Sequence, residues 1–150
     1  MSLLDVNVWL ALVLSRHVHH RVASDWLGQV DEPGTVVLCR SVQLSLLRLL
    51  TTAAVLAPYG NPPLANKEAW SICQELASDD RVLPGYPEPP GIEGHWRSFA
   101  AQDRASPKLW MDAYLAAFTL ASGCRLVTTD AAFRQFGGLD VVVLGHATAK

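Results

Sequence analysis

Three aspartates stand where the chain changes from one type of segment to another. Asp5 and Asp130 each follow a short apolar run, and Asp112 lies near the start of the helical segment 109–122. Carboxylates gathered at one place repel one another and lose solvation, so proteins usually neutralise such a group with a bound cation. We therefore expect Asp5, Asp112 and Asp130 to converge and share one divalent metal ion.

The segments that must position these acids show two kinds of apolar pattern. Short apolar and β-branched runs predict strands at 2–5, 36–39, 81–83, 125–129 and 141–144. Apolar residues at helical spacing predict helices at 8–14, 22–30, 42–53, 65–76, 96–100 and 109–122, with a short helix at 131–136. Ser41 is placed to cap one helix and Gly123 to end another. The turn-forming stretches 57–63 and 84–91 predict surface loops.

This alternation of strands and helices predicts the fold class. Strands that are buried on both faces and separated by helices form a parallel sheet with helices on either side. We therefore expect one domain over residues 1–150, an α/β fold of three layers (α/β/α) with a central parallel sheet of four to five short strands. Active groups in such sheets collect beyond the carboxyl ends of the strands, near a switch in strand order. Asp5 and Asp130 occupy such ends, so they can be neighbours despite their separation in sequence.

Composition and charge narrow the class of protein. The chain has 150 residues, half of them hydrophobic, which is enough to bury a core. A net charge of −2 argues against a protein that coats nucleic acid by bulk electrostatics, but it allows a local basic groove. The three cysteines lie in apolar stretches and fit reduced core thiols. Because no apolar run approaches the roughly 20 residues of a membrane helix, and no signal peptide is visible, we expect a cytoplasmic protein with no membrane partner.

Four pieces of the sequence follow one another in a characteristic order. They are Leu4-Asp5-Val6-Asn7-Val8-Trp9-Leu10-Ala11-Leu12, His17-Val18-His19-His20 with Trp26-Leu27, Asp112-Ala113-Tyr114-Leu115-Ala116-Ala117, and Leu126-Val127-Thr128-Thr129-Asp130 with Phe133. In this order and at these separations, they resemble the PIN-domain family and, within it, the VapC-type toxins of bacterial toxin and antitoxin pairs. The resemblance covers nearly the whole chain.

The resemblance implies a PIN-like fold and a specific activity. It implies an endoribonuclease, dependent on Mg²⁺ or Mn²⁺, that cleaves RNA required for translation as the toxin of a type II toxin–antitoxin system. It also implies a cognate VapB-type antitoxin that holds the toxin inactive. VapC-type toxins commonly pair, so we expect a homodimer, for which the apolar helices 44–56 and 65–76 are available.

The resemblance also suggests roles for individual residues. A metal ion held by the three aspartates would polarise the scissile phosphate and lower the pKa of a bound water, which then attacks in line. Asn7 would hydrogen-bond that water or a phosphate oxygen, and Thr128 and Thr129 would orient Asp130. The basic candidates for phosphate contacts are Arg40, Arg48, Lys108 and Arg134.

One position departs from the family pattern. PIN domains commonly supply an acid from the helix after the second strand, and this chain has Gln43 at that place. An amide oxygen can still bind magnesium or orient one of its waters, but it adds no negative charge. We therefore expect Gln43 to be a metal or water ligand in a site that binds its metal more weakly.

Each of these roles has a purely structural alternative. Asp5 and Asn7 can cap a helix, and Asp112 is favoured near a helix N-terminus by the helix dipole. The threonines suit a strand, and Gln43 and the arginines suit a solvated helix face.

Two other functions are compatible with part of the pattern. A PIN domain that has lost catalysis can serve as an RNA-binding or antitoxin-binding module, and metal-dependent cleavage that Asp5→Asn abolishes would exclude it. A phosphotransfer domain, such as a receiver or a small phosphatase, also carries an acid after its first strand. A receiver needs adjacent acids there and a lysine at the end of a late strand, and the phosphatase needs an aspartate in place of Asn7. The sequence has neither.

Overall fold

Five strands form one parallel sheet in the computed structural model, which describes residues 1–145. The strands are β1 (Ser2–Leu4), β2 (Val36–Cys39), β3 (Val82–Tyr86), β4 (Arg125–Thr128) and β5 (Val141–Val143). Their order in the sheet is β3-β2-β1-β4-β5, and each neighbouring pair is parallel. The predicted α/β fold class is confirmed.

Within the described residues, seven α-helices connect and cover the strands. They are α1 (Val6–Val13), α2 (His20–Gly28), α3 (Arg40–Leu50), α4 (Ala53–Leu56), α5 (Asn66–Ala77), α6 (Ile92–Ala100) and α7 (Leu109–Ser122). Strands β1, β2 and β3 follow one another toward one edge of the sheet, and the chain then returns to place β4 on the other side of β1. Connections between parallel strands are right-handed. The helices before β3 therefore cover one face of the sheet, where α1 packs on α2 and α3, while α6 and α7 pack together on the other.

The core lies on both sides of the central strands. Every residue of β2 is buried, and α7 is apolar on most of its circumference. Trp9 and Phe118 are the bulkiest fully buried side chains of the two helical layers. All three cysteines are buried and free, which confirms the prediction of core thiols.

The switch in strand order lies between β1 and β4. Strand β1 pairs with β2 on one side and with β4 on the other, so the two outward halves of the sheet diverge at this point. Asp5 follows β1 directly, and its backbone N–H donates to the Val127 carbonyl oxygen at 2.9 Å. Asp130 lies two residues beyond the end of β4. The two aspartates therefore follow the carboxyl ends of neighbouring strands.

Some local predictions are wrong. Helix α3 begins at Arg40 with Cys39 at its N-cap, so Ser41 lies inside the first turn and does not cap it. The predicted loop 84–91 begins later, because β3 continues through Pro84 to Tyr86. A proline is tolerated there because β3 is an edge strand, where one side of the backbone needs no partner. The predicted short helix 131–136 is present as a 3-10 helix over Ala131–Gln135, and Ala57–Tyr59 within the other predicted loop form a second 3-10 helix.

The predicted helix 42–53 is interrupted. Helix α3 ends at Leu50, and the chain turns by 80° before the segment Ala53–Tyr59. Within residues 1–145, no single helix has the length and apolar character needed to cross a membrane, although this bent pair meets both criteria when taken together.

Candidate functional site

Asp5 is a buried carboxylate held by a hydrogen bond from another strand. Its backbone adopts an N-cap conformation and its carbonyl oxygen accepts from the Val8 N–H at 3.0 Å, but its side chain makes no capping bond. The Thr128 hydroxyl instead donates to Asp5 Oδ2 at 2.9 Å. The side chain is only 4% exposed. Helix capping therefore does not account for the carboxylate, since the backbone alone fills that role.

The pKa of Asp5 is raised because burial disfavours the charged carboxylate. Burial raises the pKa from its ordinary 3.8 to about 6, and the negative charges of Asp112 and Asp130 add to the rise. Hydrogen bonds from Thr128 and from the Val6 N–H oppose it. A carboxylate in this position is stabilised by any cation that binds beside it.

Thr128 links two of the aspartates. Its side chain is fully buried, and its hydroxyl accepts from the Asp130 backbone N–H at 3.0 Å while donating to Asp5. The Asp130 side chain is exposed, and its Oδ1 accepts from the Ala132 N–H at 2.8 Å to cap the 3-10 turn. The Thr128 hydroxyl contacts the backbone of Asp130, whereas the carboxylate that it contacts is that of Asp5. Orientation of the Asp130 side chain by Thr128 stays a prediction. The role of Thr129, which is partly buried, stays a prediction.

Asp112 brings the third carboxylate from the opposite helical layer. It is half-buried in the first turn of α7. Burial raises the pKa of Asp112, and the charge of Asp130 raises it further. Since Asp112 and Asp130 also raise the pKa of Asp5, the three carboxylates act on one another at the same end of the sheet.

The acids do not form a closed metal cage by themselves. Among residues 1–145, no three histidine, cysteine, aspartate or glutamate side chains are grouped so that they could hold a metal ion. Mg²⁺ usually keeps several waters and takes one or two carboxylates directly, so it does not need three such side chains in contact with it. Hard oxygen donors and a buried carboxylate with a raised pKa fit such a cation, whereas they do not fit a closed tetrahedral zinc site. Ligation by Asp5, Asp112 and Asp130 stays a prediction.

Gln43 lies at the end of the first turn of α3, where its side chain already has a hydrogen-bond partner. It is partly buried, and its Oε1 accepts a hydrogen bond from the Arg40 guanidinium. Gln43 and Ser41 lie on different sides of α3, because two positions along a helix correspond to a rotation of about 200°. Ser41 lines a cleft together with Tyr114. The role of Gln43 as a metal or water ligand stays a prediction, with Arg40 as its present partner.

Most of the remaining candidates lie at the carboxyl edge of the sheet. Asn7 is exposed in the first turn of α1, Lys108 directly precedes α7, and Arg134 lies in the 3-10 turn after β4. Arg48 differs, because it lies in the last turn of α3, about 12 Å along the helix axis from Arg40. A phosphate contact from Arg48 would therefore require an RNA that extends away from the acids.

One polar pair at this edge was missed by the sequence analysis. The Tyr114 hydroxyl donates to Glu88 Oε2 at 2.8 Å, across 26 positions of the sequence. Burial raises the pKa of Tyr114, and the hydrogen bond to Glu88 adds to the rise. No motif connects the two residues, so only the packing of α7 against the loop after β3 reveals the contact.

Replacing Asp5 by asparagine should change the pH dependence of stability in metal-free protein. Because the folded state raises the pKa of Asp5 from 3.8 to about 6, parent stability should fall as the pH rises through this interval. The loss is on the order of 3 kcal/mol. In urea unfolding with chelator, the stability advantage of Asp5→Asn over the parent should grow across that window and level off above it. The exposed Asp31→Asn is the control, and an advantage that is independent of pH would contradict the assignment.

Removing the Thr128 hydroxyl should weaken the site and the fold together. Thr128→Val keeps the shape but leaves Asp5 Oδ2 and the Asp130 N–H without their partner, which should cost about 2 kcal/mol or more. The pKa of the Asp5 carboxyl, followed by NMR titration, should rise further, because this hydrogen bond lowers it in the parent. Thr128→Ser retains the hydroxyl and should stay close to the parent. Parent-like behaviour of Thr128→Val together with a loss of stability in Thr128→Ser would show that the methyl group, and not the hydrogen bond, matters.

Comparisons with known proteins agree with this fold. A family model described as the PIN domain matches residues 2–139. Ribonuclease VapC41 of Mycobacterium tuberculosis is 52% identical over 144 residues, which is 96% of this chain and 99% of that protein. Ribonuclease VapC29 of the same organism is 32% identical and covers 95% of this chain and 94% of its own.

Solved structures show the same architecture at low identity. The structure of VapBC2 from Rickettsia felis, bound to a DNA fragment from its promoter, has a TM-score of 0.66 at 11% identity and covers 95% of this chain and 98% of its own. Mycobacterium tuberculosis VapC20, a Sarcin-Ricin loop cleaving toxin, has a TM-score of 0.62 at 17% identity, with coverage of 94% and 98%. The family model spans most of the sequence and a full-length relative shares half of its residues. The chain therefore belongs to the PIN-domain family.

Proposed function

We propose that this chain is a VapC-type endoribonuclease, dependent on Mg²⁺ or Mn²⁺, and the toxin of a type II toxin–antitoxin pair that cleaves RNA required for translation. The observation that carries the proposal is the acid group at the strand switch. There a buried Asp5, held by Thr128, lies within the electrostatic reach of Asp112 and Asp130. The 52% identity to Ribonuclease VapC41 supports the same activity, because it extends over nearly the full length of both chains.

The acids would hold the ion, and the rest of the site would hold the RNA. When bound, the metal ion polarises a phosphodiester and lowers the pKa of a coordinated water. Asp5 is fixed for this by Thr128, while Asp130 has Oδ2 free of the capping bond that occupies Oδ1. Asn7, exposed at the start of α1, is positioned to donate to a phosphate oxygen or to a water. Lys108 and Arg134, at the same edge, would neutralise phosphates on either side of the cut.

The proposed partners are RNA, a VapB-type antitoxin and a second copy of the chain. Solved relatives include VapBC complexes from Rickettsia felis and Haemophilus influenzae, which supports an antitoxin of that type. For the homodimer, α3 and α5 offer two exposed apolar side chains, Leu44 at 59% and Trp70 at 50% exposure. Burial of such side chains between two copies would be favourable.

A PIN domain with weakened catalysis, acting as an RNA-binding or antitoxin-binding module, is the second candidate function. One observation favours it: α3 contributes the amide of Gln43, paired with Arg40, where the family usually supplies a carboxylate. This alternative predicts RNA binding without metal-dependent cleavage, so the same experiment separates the two functions.

The test is cleavage of RNA by matched variants. Brief expression of the parent followed by sequencing of new RNA ends should reveal discrete cut sites, and the purified protein should cut the same RNA only with Mg²⁺ or Mn²⁺. Asp112→Asn should reduce cleavage by more than the roughly hundredfold expected for loss of an outer partner of a metal ligand. Asp31→Asn, an exposed change at the opposite edge of the sheet, should cleave like the parent. Unchanged cleavage in Asp112→Asn would reject the proposed site.

Restoring a carboxylate at position 43 tests how α3 contributes to the site. Gln43→Glu should lower the Mg²⁺ concentration that half-saturates cleavage by a modest factor, since hard cations respond to the number of charged oxygens around them. Because Arg40 is positioned to pair with the new carboxylate, Arg40→Ala combined with Gln43→Glu should lower it further. Gln43→Ala is the control for loss of the amide. The same Mg²⁺ dependence in all of these proteins would place Gln43 outside the site.

A further inference from the structure

Trp110 is an exposed indole at the junction of three surface clefts. It is 57% exposed, the most of any tryptophan in the described chain. The clefts measure about 330, 320 and 420 Å³, and Trp110 is part of the wall of each. The cleft at the carboxyl edge of the sheet, here called the aromatic cleft, is lined by Ser41, Trp96, Pro107, Trp110, Met111 and Tyr114. A volume of this size can admit a small planar group.

The walls of the aromatic cleft are fixed in place. The Trp96 indole N–H donates to the Trp110 backbone carbonyl oxygen at 3.0 Å. The Trp96 ring also meets Trp110 edge-on at 6.2 Å and Tyr114 edge-on at 5.4 Å. Tyr114 is held in turn by its hydrogen bond to Glu88. The cleft therefore presents aromatic surface that loses little side-chain freedom when a ligand binds.

The aromatic cleft and the acids lie on two sides of the same helical turn. Trp110 precedes Asp112 by two residues, which places the two side chains about 200° apart around α7. Asp112 interacts electrostatically with Asp5, which follows β1, and with Asp130, which follows β4. The aromatic cleft instead extends to Ser41, which follows β2. An elongated ligand that crosses the start of α7 would contact both.

We propose that the aromatic cleft binds an unpaired nucleobase of the RNA, stacked on Trp110, from a nucleotide adjacent to the one that is cut. The inference rests on the proposed function and adds a specificity site to it. The cleft is separated from the acids by the width of the first turn of α7, so the bound base belongs to a neighbouring nucleotide. Stacking on an aromatic ring suits single-stranded nucleic acid, because every base has a π-face that pairing in a duplex would hide.

The charges around Trp110 favour RNA over an apolar peptide. Arg104 lines the cleft on the other side of Trp110, and Lys108 lies between Pro107 and α7. Both side chains can contact the phosphates of an RNA strand that crosses the loop 101–108. The carboxylates Glu88 and Glu93 line the third cleft, and Glu88 is already paired with the Tyr114 hydroxyl at the wall of the aromatic cleft.

Binding of a short end-labelled single-stranded RNA, measured in chelator so that no cleavage occurs, tests the inference. Trp110→Ala should weaken binding by between about fivefold and 150-fold, the range that stacking of one base contributes. Trp110→Tyr retains a ring and should recover most of the affinity. A blunt duplex of the same sequence should lose little affinity in either variant. Quenching of tryptophan fluorescence by the single strand should decrease in Trp110→Tyr, which leaves Trp96 in the aromatic cleft, and should persist in full in Trp70→Phe, which changes the other strongly exposed tryptophan.

The outcomes separate this inference from the proposed function. Unchanged single-strand affinity in Trp110→Ala, or equal losses for single strand and duplex, would overturn it. Loss of antitoxin binding without loss of RNA binding would also overturn it, because the cleft would then be a protein-docking surface. Failure of the parent to cleave any RNA would reject the proposed function while base stacking at Trp110 could still stand. Normal cleavage at unchanged cut sites by Trp110→Ala would instead reject the cleft and leave the nuclease intact.

Discussion

The pairing of β1 with β4 forces a carboxylate into a place from which water has been removed. Asp5 lies between the end of β1 at Leu4 and the start of α1. Its backbone N–H donates to the carbonyl oxygen of Val127 in the neighbouring strand β4. With the backbone fixed on both sides, the side chain cannot escape to solvent and is 4% exposed. Burial of an acid is unfavourable unless something compensates for it. The other polar groups at the carboxyl edge of the sheet are arranged around this buried carboxylate.

Thr128 partly compensates for the burial of Asp5 through a hydrogen bond. Its hydroxyl donates to Asp5 and accepts from the Asp130 N–H, so both hydrogen-bonding capacities of one buried group are used. This bond lowers the pKa of Asp5 but does not return it to its ordinary value, which leaves part of the cost uncompensated. The uncompensated burial of this carboxylate lowers stability when no cation is bound, which is consistent with the proposed metal site.

Helix α7 joins this electrostatic site to a recognition surface. Its first turn carries Asp112 toward the acids and Trp110 toward the aromatic cleft, and the apolar remainder of the helix is anchored in the core. Because both groups belong to one rigid turn, the distance between them is set by helix geometry and not by a flexible loop. The same turn can therefore position a phosphodiester and a neighbouring base at once.

The sequence by itself determined most of the helices and strands and was enough to propose the three acids. Alternating apolar runs predict the parallel sheet, and Gly123 ends α7 in the left-handed conformation as expected, with φ of 67°. Local patterns carry this information because helix and strand periodicities are properties of neighbouring residues. Pro84 shows the limit of such patterns, since only its place on the edge strand explains why it can lie within β3.

Only the tertiary structure decided which groups touch. Thr128 meets Asp5 across 123 positions, Tyr114 meets Glu88 across 26, and the indole of Trp96 reaches the backbone of Trp110 across 14. The direction of a side chain at a given position depends on packing against elements that are distant in sequence. The aspartates and Thr128 could therefore be proposed from their positions, whereas the contact of the Thr128 hydroxyl with Asp5 and the cleft beside Asp112 emerged only when the strands and helices were assembled.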